Sequence, residues 1–238
     1  MALALPQFIP LFGQVGVSGL AVAAAAGLVP GALLAALLVR GRGLGRALDA
    51  LIWPLLGGGL LGARLGNQLL APDIVLRHPQ SWLTLTGTSL SFTGALLGAA
   101  VGAALGLRGL PDQSGWEALD ALAPPFALAI AVGWLGLPAP GRPLALPLGA
   151  TPPVHALALV GFLALSAGLA WQWKRRDYPG QNVATFVVLA GAFRFVLGFA
   201  LQASPVLGPW SLTQLGDAGT VLAGLALQAW RGRAVAAP

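Results

Sequence analysis

Cysteine is absent from these 238 residues, methionine, tyrosine and lysine occur once each, and histidine occurs twice. Without cysteine there is no disulfide, no thiol nucleophile and no thiolate metal site. Two distant histidines and seven acids are too few to suggest a metal enzyme, so neither metal nor cofactor is expected. The one lysine, Lys174, lies outside the last apolar run, which excludes a retinal Schiff base in a seventh helix. Charge of either sign is scarce, at 8% of residues against about 25% in a soluble domain. What fills the chain is apolar: 57% hydrophobic residues and a mean hydropathy of +0.81. That is the composition of an integral membrane protein of the all-α class.

A bilayer core takes about 20 apolar residues per helix, and seven stretches qualify: 15–39, 48–70, 89–107, 118–137, 154–173, 183–202 and 212–230. The expectation is one membrane domain over the whole chain, a polytopic bundle of seven transmembrane helices. Apolar runs continue to residue 230, so the first one does not read as a cleavable signal on a soluble protein. Pro124-Pro125 should kink or break the fourth span. One such break and no internal repeat speak against a secondary transporter.

The basic residues divide by side. Arg40, Arg42, Arg46, Arg108, Lys174, Arg175, Arg176, Arg231 and Arg233 follow odd-numbered spans, and only Arg77 and Arg142 fall on the other side. This places the N-terminus outside and the C-terminus in the cytoplasm. It also gives the net charge of +6 a topological cause, so no nucleic-acid partner is implied. The eight tryptophans mostly fall near span ends, as in an interfacial belt.

Arg64 and Arg194 remain, both inside apolar runs. A guanidinium is charged at any physiological pH, and burying one in hydrocarbon costs several kcal/mol. Counted from the outer ends of their spans, both sit roughly 10 to 14 Å deep at 1.5 Å per residue. Asp217 enters the seventh span to a similar depth. One carboxylate cannot neutralise two arginines, so an anionic group, a lipid phosphate first among them, is the expected partner. Gly94, Gly98, Gly102 and Gly106 recur every four residues in the third span, and the second carries Gly57, Gly58, Gly59, Gly62 and Gly66. Such spacing makes a helix face that admits a neighbouring backbone.

Several segments, in order, resemble those of prolipoprotein diacylglyceryl transferases. They are Gly62-Ala63-Arg64-Leu65-Gly66, Leu90-Ser91-Phe92-Thr93-Gly94-Ala95-Leu96-Leu97-Gly98, Tyr178-Pro179-Gly180-Gln181, Gly191-Ala192-Phe193-Arg194-Phe195 and Ser211-Leu212-Thr213-Gln214. The resemblance covers nearly the whole chain and implies the family's seven spans and external N-terminus. It implies a membrane enzyme moving a diacylglyceryl group from phosphatidylglycerol to a lipobox cysteine. Arg64 and Arg194 match family positions and would hold the lipid phosphate.

Other family positions differ. The histidine of Ser-Phe-His-Gly-Gly is Thr93, and Gly-Arg-x-Gly-Asn-Phe reads Gly133-Trp134-Leu135-Gly136-Leu137-Pro138. The acid of Arg-Phe-x-x-Glu is Gly198, and an early tyrosine is Ser18. His155, at the start of the fifth span, is a weak candidate for a replacement base, and His78 reads as a loop residue. The losses point to a non-catalytic relative that binds anionic phospholipid or serves as a subunit of a membrane complex. The alternative is an active, diverged transferase.

Overall fold

Apolar runs with no water to satisfy their backbone must form helices, and they do. The computed structural model describes residues 8–12, 15–70, 91–136, 154–200, 205–207 and 210–236. Among these are seven α-helices: α1 Gly19–Val39, α2 Gly45–Leu70, α3 Phe92–Leu107, α4 Asp112–Gly133, α5 Val154–Gln172, α6 Gln181–Gly198 and α7 Leu212–Ala236. The protein is an all-α, polytopic membrane protein. Gly45–Gly66, Asp112–Gly133, Val154–Gln172 and Gln181–Gly198 are long and apolar enough to cross a bilayer, and Ala26–Val39 and Phe92–Leu107 are shorter apolar helices.

Two short antiparallel hairpins accompany the helices. β1 (Phe8–Phe12) pairs with β2 (Val15–Ser18), with Phe8 opposite Ser18. β3 (Pro205–Leu207) pairs with β4 (Trp210–Ser211), with Pro205 opposite Ser211. The helix expected from residue 15 therefore begins at Gly19. Residues 15–17 alternate Val-Gly-Val, and the β-branched residues suit a strand.

The chain divides into two compact units, Met1–Gly41 with Asp120–Pro238, and Arg42–Leu119. In the second unit α2 and α3 are held by glycine. A Cβ at Gly98 would overlap the Gly58 carbonyl, one at Gly94 that of Gly62, and one at Gly102 that of Pro54. At Gly106 it would lie 2.9 Å from the Ala50 carbonyl oxygen. Gly58, Gly62 and Gly66 face back in the same way, so the two backbones touch along four turns. The Ser91 N–H also donates to the Ala63 carbonyl at 2.9 Å, and the Ser91 hydroxyl caps α3 by accepting from Gly94 N–H.

The first unit is tied together by polar groups. α6 opens on Gly180, whose φ of +101° suits glycine and which offers no side-chain cap. Asp120 of α4 supplies one instead. Its carboxylate accepts from Gly180 N–H at 2.8 Å and Val183 N–H at 3.0 Å, and lies 3.6 Å from Arg176. A negative charge at a helix N-terminus is stabilising, and here it is fully buried. Pro124-Pro125 do not interrupt α4. Pro124 has no N–H for the Asp120 carbonyl four residues back, and Asn182 Nδ2 reaches that oxygen at 3.5 Å. Ser166 of α5 donates to the Pro124 carbonyl at 2.8 Å.

Trp173 donates to the Leu38 carbonyl at 3.2 Å, satisfying the C-terminal end of α1. The tryptophans are thus of two kinds. Trp53, Trp171, Trp210 and Trp230 are exposed, whereas Trp116, Trp134 and Trp173 are buried. An interfacial belt accounts for the first group only. Trp82 lies outside the described residues.

Candidate functional site

Two antiparallel helices, α6 and α7, position the first charged pair. Gly191 lets them approach, because a Cβ there would stand 3.0 Å from the Asp217 carbonyl oxygen and 3.1 Å from Thr220 Cγ2. Four residues before its end, α6 presents Arg194, and α7 presents Asp217 five residues after its start. Arg194 Nε donates to Asp217 Oδ1 at 3.2 Å, with the carboxylate side chain 3% exposed and the guanidinium side chain 17%. The pair is desolvated but not sealed, and the exposed fraction belongs to the cation. Regular helix ends at Gly198, so Arg194 is four residues from the end of α6 and not the eight that a span reaching residue 202 gives.

Ser211-Leu212-Thr213-Gln214 is a capping box. Ser211 Oγ accepts from Gln214 N–H at 3.3 Å, and Gln214 Oε1 accepts from Ser211 N–H at 3.0 Å. The Gln214 amide then reaches the Phe195 carbonyl at 3.5 Å. A Cβ at Gly198 would meet Gln214 Cγ at 2.5 Å. The room beside Gly198 is taken by Gln214.

Trp134 lies in a 3-10 turn, Trp134–Gly136, that continues α4. It is buried, and its ring meets His155 edge to face with centroids 6.0 Å apart. His155, in the first turn of α5, is half-buried. Thr93 is half-buried in the first turn of α3, two residues after the capping Ser91. Leu137 and His78 lie outside the described residues, as do Arg77 and Arg142.

In the other unit Arg64 is half-buried on α2, with its Nε atom wholly buried. At 100° per residue its side chain leaves α2 on the side opposite Gly62, away from the glycine seam. Gln68 follows one turn later and is buried. Sequence reading missed Gln68 and Asp120, and it met Gln214 only as part of a family-like segment. Each is a polar residue in an apolar run, the same signal that singled out Arg64 and Arg194.

A model of the prolipoprotein diacylglyceryl transferase family matches residues 6–230. The chain belongs to that family. One curated relative, the phosphatidylglycerol–prolipoprotein diacylglyceryl transferase of Thermus thermophilus, is 30% identical over 194 residues. That match spans 62% of this chain and 66% of the relative, just under two thirds of its length. The transferase family membership fits the multi-pass helical architecture. Of the positions where the sequence resemblance expects other residues, Gly198 lies against Gln214, Trp134 is buried against His155, and Thr93 sits beside a helix cap, while Leu137 lies outside the described residues.

Proposed function

We propose that this chain is a non-catalytic member of the diacylglyceryl transferase family that holds an anionic phospholipid, with phosphatidylglycerol the favoured ligand. Transfer to a thiol requires cations for the lipid phosphate and a base to generate the thiolate. Arg64 and Arg194 are the proposed phosphate-holding cations, and Asp217 is the counter-charge of Arg194. The observation that carries the reading is Trp134. At a position where the family resemblance places an arginine stands a buried indole, packed edge-on against His155, the candidate base. The side chain there offers one N–H donor in place of five and no charge. The proposal includes an external N-terminus, supported by the arginine distribution, and association with other membrane subunits.

The test is transfer from phosphatidylglycerol to a lipobox peptide by purified protein, with complementation of a strain lacking its own transferase. No transfer and no complementation are expected. Turnover would establish the second reading, a diverged transferase, which is favoured by a family match running through residues 6–230. In that event His155→Ala identifies the base if it abolishes turnover.

A further inference from the structure

Gln68 is 8% exposed, and neither Oε1 nor Nε2 has a hydrogen-bond partner among the described residues. A buried primary amide with both ends unmade is costly, because the desolvation of each end is uncompensated. Buried polar groups in membrane segments are otherwise bonded. Gln68 follows Arg64 by four residues, so the two side chains are neighbours on one face, about 5–6 Å apart at Cβ. That face is turned away from the α2–α3 seam, since Gly58, Gly62 and Gly66 occupy the other side. Leu61 and Leu65, beside it on α2, are 65% and 47% exposed. In a membrane helix such leucines meet lipid, so the ligand that reaches this face comes from the bilayer.

We infer that Gln68 and Arg64 form a two-point headgroup site for a phospholipid whose phosphodiester carries a neighbouring hydroxyl. This rests on the proposal that Arg64 holds a lipid phosphate. Arginine only donates hydrogen bonds and carries charge, which suits a phosphate oxygen. An amide donates and accepts, which suits a hydroxyl, the one common headgroup function that does both. An ammonium headgroup would bring its cation toward the guanidinium and is disfavoured. Gln68 thereby becomes the selectivity residue, and Arg64 the residue that supplies affinity without choosing among anionic lipids.

Native mass spectrometry of the purified chain with two lipids tests this. Phosphatidylglycerol and phosphatidylethanol have the same phosphodiester charge, and only the first carries hydroxyls. One or two hydrogen bonds to the amide give phosphatidylglycerol an advantage of roughly fivefold to tenfold in the wild type. Gln68→Met, similar in size and without polar hydrogens, should bring the ratio near one and leave phosphatidylethanol binding unchanged. Arg64→Leu should weaken both lipids and leave their ratio intact. Retention of the phosphatidylglycerol preference in Gln68→Met overturns the selectivity role while leaving the phosphate site standing. Unchanged binding of both lipids in Arg64→Leu overturns the phosphate site itself. Thermal unfolding supplies the check on folding: Gln68→Met should melt no lower than wild type, and a marked drop would show that the amide is bonded within the protein, which also sinks the proposal.

Discussion

The α2–α3 pair and the α6–α7 pair solve the same problem by opposite means. Helices in a bilayer gain nothing from hiding apolar surface, because lipid tails are as apolar as leucine. α2 and α3 respond by removing side chains, so that backbone meets backbone at Gly58, Gly62, Gly94, Gly98 and Gly102. α6 and α7 keep theirs and bond through them, with Arg194 on Asp217 and Gln214 on the Phe195 carbonyl. The first solution tolerates no added atom. The second adds polar bonds to a close approach at Gly191 and tolerates no unpartnered polar group. The glycine seam is structural and leaves Arg64 and Gln68 on the other face of α2, whereas the polar pair keeps a partly exposed cation at its own contact.

The sharpest way to break the contrast is Gly98→Leu. Its Cβ alone overlaps the Gly58 carbonyl, a backbone atom that cannot swing aside, so the cost should exceed the ~1–3 kcal/mol of ordinary overpacking. The variant should fail to accumulate as a folded protein in detergent. A melting temperature near that of wild type would show that the seam opens freely.

Asp120→Ala comes next and probes the polar strategy where it is most buried. The change strips the cap from Gly180 and Val183 and leaves Arg176 without its carboxylate. Breaking a buried pair from one side costs about 3–5 kcal/mol, and faster hydrogen exchange at the start of α6 should accompany the loss.

Asp217→Ala should destabilise somewhat less, because the Arg194 side chain is 17% exposed and can recruit water. The double variant Arg194→Leu with Asp217→Leu sharpens the point. Replacing both charges by apolar groups is often neutral or stabilising, so its melting temperature should exceed that of Asp217→Ala. If the double variant melts lower than the single one, the pair contributes to stability through more than mutual neutralisation.

The smallest effect belongs to Ser211→Ala. It removes one half of the capping box on α7, for a loss of about 1 kcal/mol, detectable as a modest drop in melting temperature. A loss several times larger would mean that Ser211 and Gln214 also hold Gly198 and Phe195 in place.

Much of this was legible in the amino-acid order. Hydropathy marks each apolar run long enough to need a helix, and composition alone rules out a soluble fold and any thiol or disulfide of the chain's own. The four-residue recurrence of glycine in α3 is a property of one helix, so its packing face could be read before its neighbour was known. Arg64, Arg194 and Asp217 stand out because a charge in an apolar run has no inexpensive explanation.

Tertiary structure decided which groups meet. Asp120 caps a helix whose first residues are 60 positions away, and no periodicity within α4 foretells that. The same holds for Asp217 choosing Arg194 and for Gln214 filling the space beside Gly198. Trp134 read as an interfacial ring from its place near a span end, and became a core residue because α5 brings His155 against it. Local pattern reports what a segment must bury or satisfy, since hydration and helix geometry act within a few turns. The partner that satisfies it is set by how distant helices pack, which only the folded chain determines.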